Sequence, residues 1–368
     1  MSQWNRSRLG WLALASFPGF GSSTLHKLAS IFKNNGEYAW NISYKELSSF
    51  IRKKSCIENF IVYRSNTHPE KIAADLEKKH ISFLLDTDTD FPHNLKTIHQ
   101  APKALFYTGD IKIAHEPRIA IIGTRSMTDY GMHVTQELTR ACVQYGITII
   151  SGLALGIDGC AHQTAIEAQG KTIAILGSGI DEKTIYPKQH IRLAKQIIER
   201  GGALISENPI GYEAYKFDFP LRNRLISGLS QAVLVIEGAH KSGSLITAHL
   251  ASEQGREVLA VPGMITSKQS QGTNDLIQKG AIPCLGIDNI LEALHLEPSK
   301  RRTQTTTDLN DNEQYFLDQI TSPLTIDQVT RLTKIPVNKV LQLISRLEIM
   351  GFIHRLDQGY ITRTVPKF

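Results

Sequence analysis

The segment FPLRNRLISGLS, residues 219–230, sets Arg222 and Arg224 on either side of Asn223, and apolar Leu225 and Ile226 follow at once. No carboxylate stands beside them in sequence. A guanidinium is seldom buried without a counter-charge. Its partner therefore comes from elsewhere in the fold, or from an anion outside it. The longer stretch SENPIGYEAYKFDFPLRNR, residues 206–224, interleaves Lys216 with Phe217 and Phe219. Cations alternating with aromatic rings suit a single-stranded nucleic acid, because charges follow phosphates and rings stack on bases. The competing reading is a loop whose phenylalanines are core and whose arginines pair with Glu207, Glu237 or Asp218.

Other stretches point to anions as well. IIGTRSMTDYG (121–131) ends an apolar run at Gly123, continues with Thr124 and Arg125, and enters a helical pattern near Tyr130. Backbone amides in such a turn, with the helix dipole behind them, form an anion site, and Arg125 adds a bidentate phosphate contact. GAHKSGSLITAHLASEQG (238–255) repeats the design, with Lys241 beside Ser242, Gly243 and Ser244 at a helix start. Gly263, Gly272, Thr273 and Asn274 make a further turn of this kind, and SGLALGIDGCAHQTA (151–165) another. Four such turns suit several phosphates rather than one. None is the GxGxxG dinucleotide fingerprint; the nearest, GSGIDE, has Glu182 at the third glycine position. No nucleotide cofactor is expected. Asp158 and His162 stand four apart and could be a base and its orienter, but no nucleophile accompanies them. A helix-start acid and a packed histidine is the plainer reading. No hydrolytic triad, metal-ligand cluster or carboxylate pair is evident, so the chain is not expected to be an enzyme.

These residues need elements to hold them. RIAIIG (118–123), ITIISG (147–152), KTIAILG (171–177), ALISE (203–207), AVLVIEG (232–238) and EVLAVPG (257–263) read as strands that are apolar nearly throughout. Helical patterns at about 130–146, 157–169, 187–200, 222–230 and 244–255 separate them. That alternation predicts an α/β fold, a Rossmann-like core with a mostly parallel sheet covered on both faces. Ligands of such sheets sit beyond the carboxyl ends of the strands, where these turns lie. Residues 1–80 read as a small helical domain. Its FPGFGSSTLHKL turn resembles a helix-hairpin-helix turn. The core spans 81–296, the polar stretch 297–312 is a linker, and 313–368 shows three short helices and a terminal hairpin turning at Asp357-Gln358-Gly359. This last pattern is a winged helix. Its third helix carries only Lys339 and Arg346 as cations, so it docks on protein as readily as on DNA.

The chain has 368 residues, 41% hydrophobic and 21% charged, with a net charge of +6. It is long enough for two or three domains, and mildly basic in a way that permits a polyanionic partner without requiring one. The four cysteines are scattered with no CxxC pair, which suits a reducing compartment. No apolar run reaches membrane length, so a cytoplasmic protein with no membrane partner is expected.

FPHNLKTIHQAPKALFYTGD, IAIIGTRSMTDYG, SGLALGIDGCAHQTA, TIAILGSGID, LISENPIG, FPLRNRLISGLS, VIEGAHKSGSLITAHLASEQGREVLAVPG and GTNDLIQKGA occur in this order. Together they resemble the DprA/Smf family of DNA-processing proteins along nearly the whole chain. The resemblance implies a Rossmann-like core, a preceding SAM-like or helix-hairpin-helix domain and a following winged helix. It implies sequence-independent binding of single-stranded DNA, shielding of incoming DNA in natural transformation, loading of the RecA recombinase, and a homodimer formed through the core. Carried onto matching positions, it implies that Arg125, Lys216, Phe219, Arg222 and Arg224 line the DNA pocket, with Asn223 among them. Gly123, Ser242 and Gly243 would offer backbone amides to phosphates. One departure is DFPHNL, with Asp90 and Phe91 where the family usually has a tyrosine before the proline. Two other readings compete. A phosphoribohydrolase of the lysine-decarboxylase-like group would need a glutamate soon after the late glycine-rich turn, but SGSLITAHLA offers His249 and no acid before Glu253. An adaptor would use the winged helix for protein docking and the core for dimerisation alone.

Overall fold

The structure, a computed structural model, describes residues 4–297, 311–320, 322–349, 352–355 and 360–363. The described residues up to Glu297 belong to one compact unit, and those from Asp311 onward to another.

The first unit is built on a nine-stranded sheet. Its strands are β1 (Ser82–Leu85), β2 (Ala104–Gly109), β3 (Arg118–Ile122), β4 (Thr148–Ser151), β5 (Thr172–Ile175), β6 (Ala203–Ser206), β7 (Ala232–Val235), β8 (Glu257–Ala260) and β9 (Ile282–Pro283). They lie in the order β1-β2-β6-β5-β4-β3-β7-β8-β9. From β6 to β9 every pairing is parallel. The six strands anticipated from apolar runs are all present. The short antiparallel edge of β1 and β2 was not anticipated from them. It rests on few residues, with Phe83 opposite Phe106 and their rings 5.3 Å apart.

The apolar strands follow from burial on both faces. In β3, Ala120 and Ile122 enter one core cluster, while Ile119 and Ile121 enter another on the opposite face. A third cluster joins alternate residues of β1, β2, β5 and β6, such as Phe106 and Leu204, to Trp11, Leu28, Phe60 and other residues of the first eighty. Each such side chain contributes roughly 1.5–3 kcal/mol by leaving water. The helical segment is thus joined to the sheet by packing and shares its compact unit. Within it, Phe17 and Phe20 of the FPGFG turn are buried against Phe60. The hairpin-like turn is therefore a packing device at its aromatic positions.

The second unit contains helices Asp311–Asp318, Ile326–Thr333 and Val337–Ile349 and a three-stranded antiparallel sheet of β10 (Leu324–Thr325), β11 (Ile353–Arg355) and β12 (Tyr360–Arg363). The strand order is β10-β12-β11, around Phe316, Val340, Ile344 and Ile353. This is the winged-helix arrangement expected. The 357–359 turn and most of the 297–312 linker lie outside the described residues, and the first helix begins inside the linker's expected end. Among the described residues no helix is long and apolar enough to cross a membrane.

Candidate nucleic-acid interface

The chain runs from β3 through β4 and β5 to β6 in one direction, then returns to place β7 on the other side of β3. The carboxyl ends of β3 and β7 thus flank the point where the winding reverses, the usual crevice of an open α/β sheet. Ile122 is level with Val235, so the two following turns emerge side by side. Gly123 allows their close approach, since a Cβ there would lie 2.9 Å from the Glu237 carbonyl oxygen and 2.6 Å from Ile157 Cγ1.

The first turn differs from its expected role. The Thr124 amide donates to the Glu237 carbonyl at 2.8 Å. The Glu237 carboxylate, 1% exposed, accepts from the Thr128 amide at 2.9 Å and the Thr128 hydroxyl at 2.5 Å. Thr128 is the N-cap of helix Asp129–Gln144. A protein carboxylate therefore already occupies the positive end of this helix. What the turn offers outward is Arg125. Its side chain is exposed, and its guanidinium lies over the Phe219 ring at 5.6 Å from the centroid. Phe219 also meets Tyr186, at 5.4 Å between centroids. Arg125, Phe219, Tyr186, Leu155 and Arg222 line one narrow cleft.

Lys216 and Lys241 stand in the segments that follow β6 and β7, and both are exposed. None of the ion pairs among the described residues uses Arg125, Lys216 or Lys241. Ser242 caps helix Gly243–Glu253, its hydroxyl accepting from the Ser244 amide at 3.4 Å and lying 2.8 Å from the Ser244 hydroxyl. Asn223 joins the two regions by donating to the Gly243 carbonyl at 3.5 Å.

Arg222 and Arg224 have partners inside the protein, which corrects the expectation that their counter-charge is chiefly external. Arg222 is 7% exposed. It donates to the Gly152 carbonyl at 2.7 Å, to the Ile175 carbonyl, and to Asn223 Oδ1 at 3.3 Å. Burial pulls its pKa down to about 10, and the Asp158 charge opposes that shift. Asp158 in turn accepts from the Gly152 amide at 3.0 Å. Burial raises the pKa of that carboxyl group, against the pull of Arg222. Arg224, 9% exposed, pairs with Glu207, which also accepts from the Ser22 hydroxyl at 2.8 Å. Glu207 was among the partners weighed from sequence; Asp158 was not. His162 is fully buried with Nδ1 2.7 Å from the Thr172 hydroxyl. That hydroxyl donates to the Ile149 carbonyl, so Nδ1 is the donor to it. Asp158 and His162 are thus both buried, each with a partner inside the fold.

Three rings extend this edge beyond the residues carried over to the pocket, and of these only Phe217 was among the base-stacking rings read from sequence. Tyr186 reaches the cleft from a distant loop and is 50% exposed. The IYPKQH stretch around it carries the same ring-and-cation texture that marked 206–224. Tyr215 and Phe217 lie outside the cleft, with rings parallel within 2° and centroids 5.7 Å apart. Alternation of rings around Lys216 was the available signal.

Comparison with known proteins agrees with this architecture. The family model DNA recombination-mediator protein A matches residues 82–295, and the DprA winged helix domain matches residues 297–359. Protein Smf of Escherichia coli (strain K12) is 38% identical over 288 residues, 76% of this chain and 76% of its own. The X-ray structure of DNA processing protein A from Streptococcus pneumoniae superposes with a TM-score of 0.65 at 30% identity, covering 78% of this chain and 98% of that one. A structure of DNA processing protein A from Helicobacter pylori, concerned with that protein's single-stranded DNA binding mode, gives a TM-score of 0.51 at 33% identity over 58% of this chain and 95% of that one. With its doubly wound core, its terminal winged helix and this extent of likeness, the chain belongs to the DNA recombination-mediator protein A (DprA) family.

Proposed function

We propose that this protein binds single-stranded DNA, without strong sequence preference, at the carboxyl edge of its parallel sheet. The observation that carries the reading is a division among the cations. Arg222 is bonded to carbonyls inside the fold and Arg224 is paired with Glu207, whereas Arg125, Lys216 and Lys241 are exposed on one edge and form no ion pair among the described residues. Arg125 also lies over Phe219, which in turn meets Tyr186, so a phosphate contact and a stacking surface meet in one cleft. Rings of this kind reach bases only when the bases are unpaired. The single-stranded DNA binding mode described for the Helicobacter pylori relative supports the same reading. In it, Arg125 and Lys216 contact phosphates, Phe219 stacks, and the Ser242-capped start of helix Gly243–Glu253 with Lys241 receives a further phosphate. Arg222 and Arg224 hold the cleft in shape. The biological role that follows is protection of incoming DNA and loading of a RecA recombinase, with the protein acting as a homodimer through its core in the cytoplasm. No catalytic role is assigned, because Asp158 and His162 are committed to internal partners.

The test is binding of labelled oligo-dT and of a duplex of equal length across a salt series. Tighter, salt-steep binding to the single strand is expected. Arg125→Ala should weaken it for all sequences and lower the slope of log affinity against log salt by roughly 0.7, the value for one lost contact on a single strand. Unchanged affinity and slope in Arg125→Ala would remove the cleft from the interface. Equal weak binding of the wild type to both DNAs would overturn the reading itself.

A further inference from the structure

The cleft leaves one aromatic feature of the same edge unused. Tyr215 and Phe217 are 60% and 61% exposed, although large rings ordinarily gain by leaving water. They nevertheless stack on one another, parallel within 2°. The loop that carries them is anchored from below. Asp218, itself buried, accepts from the Tyr215 amide at 2.7 Å and from the Tyr212 hydroxyl at 3.1 Å. The Tyr212 ring supports Tyr215 edge-on at 6.2 Å. A parallel pair carried on such a loop presents a flat apolar face to solvent. Lys216, between the two in sequence, is exposed and forms no ion pair among the described residues.

We propose that Tyr215 and Phe217 form a second base-stacking platform for single-stranded DNA, separate from the Phe219–Tyr186 cleft. One strand is then held by stacking at two positions. This rests on the single-strand reading above and adds a subsite to it. A nucleobase laid on the outer face of the pair extends an existing stack, and any base serves because every base has a π-face.

The test uses the full chain and fluorescence anisotropy with labelled oligo-dT, and with oligo-dT carrying a single abasic position walked along its length. The Tyr215→Ala/Phe217→Ala double variant should bind oligo-dT on the order of 10-fold more weakly. Its salt slope should match wild type, because no phosphate contact is lost. Wild type should show an abasic penalty at two separated positions, and the double variant should lose one of them. Phe217→Trp should restore affinity. The thermal midpoint should not move, because both rings are exposed. If wild type binds while the double variant keeps its affinity and both penalties, the platform is wrong and the cleft stands. A loss of affinity with a reduced salt slope would mean that Lys216 had been displaced, and would equally overturn it. A wild type that fails to bind single strands overturns both readings.

Discussion

His162 packs between its helix and the sheet with no solvent exposure, and burial holds its pKa down to about 3, helped by the charges of His190 and Arg222. Its ordinary value is 6.5. Below that pH the unfolded chain takes up a proton that the folded protein refuses. The histidine's contribution to stability is therefore complete above about pH 6.5 and is lost as pH falls toward 3, at up to roughly 1.4 kcal/mol per pH unit. Asp158 acts in the opposite sense, since its raised pKa lets the fold accept a proton more readily than the open chain does. Denaturant midpoints at pH 7, 6 and 5 should fall with pH in wild type. They should fall less steeply in His162→Gln, whatever that variant's stability at pH 7. An identical pH slope in the two proteins would show that another group carries the acid response.

The element that organises the site is helix Asp218–Leu229. Its first residues bring Phe219 and Arg222 to the carboxyl edge of the sheet. At its far end, the carbonyls of Gly228 and Leu229 accept from Arg256 at 3.3 Å and Arg118 at 2.5 Å. Cations at a helix C-terminus complement its dipole, so both arginines hold the helix that aims the cleft. The second organising element is the turn before helix Ile157–Glu167. Gly156 has φ +76°, and a Cβ there would lie 2.3 Å from the Thr124 carbonyl oxygen and 2.7 Å from that of Arg125. Gly156→Ala should cost about 2 kcal/mol or more through backbone strain and clash. It should also weaken single-strand binding, because relief of the clash moves the Arg125 turn. Thermal melts and oligo-dT titrations of the same sample check both effects. A stable variant with lost affinity, or a destabilised one with full affinity, would separate the turn's two roles.

At the scale of the whole molecule, the helical layer and the sheet are one packing unit. Phe83, Phe106 and Leu204 of the sheet share a core cluster with Trp11, Leu28 and Phe60. The Ser22–Glu207–Arg224 network crosses the same boundary. Removing residues 1–80 uncovers that cluster, and the remaining chain is expected to aggregate. Residues 1–302, the whole of the first unit, should stay folded and keep the wild-type affinity for oligo-dT. Size-exclusion chromatography and anisotropy read both outcomes. Loss of DNA binding on removal of the terminal unit would move the interface away from the sheet edge. How the chain assembles is a separate question, and sedimentation of the full protein answers it.

Much of this molecule was legible locally. Apolar runs ending in glycine, each followed by a helical pattern, imply parallel strands with their turns on one edge. That alone brings Arg125, Lys216 and Lys241 to the same side, because strand direction fixes the side on which a turn emerges. Phe219 was legible for the same reason. The fate of the arginines was not. Whether Arg222 meets DNA or the interior depends on which strand ends lie beside its helix, and its neighbours come from two other segments, the stretch from Gly152 to Asp158 and the end of β5 at Ile175. Glu207 and Ser22 meet Arg224 in the same way. The turn at Gly123 looked open to an anion until strand order set Glu237 beside it. Local pattern determines which residues stand at the edge, because strand and turn signals act within a few residues. Only the tertiary structure decides which edge charges stay unpaired, because burial and neutralisation are settled by groups distant in sequence.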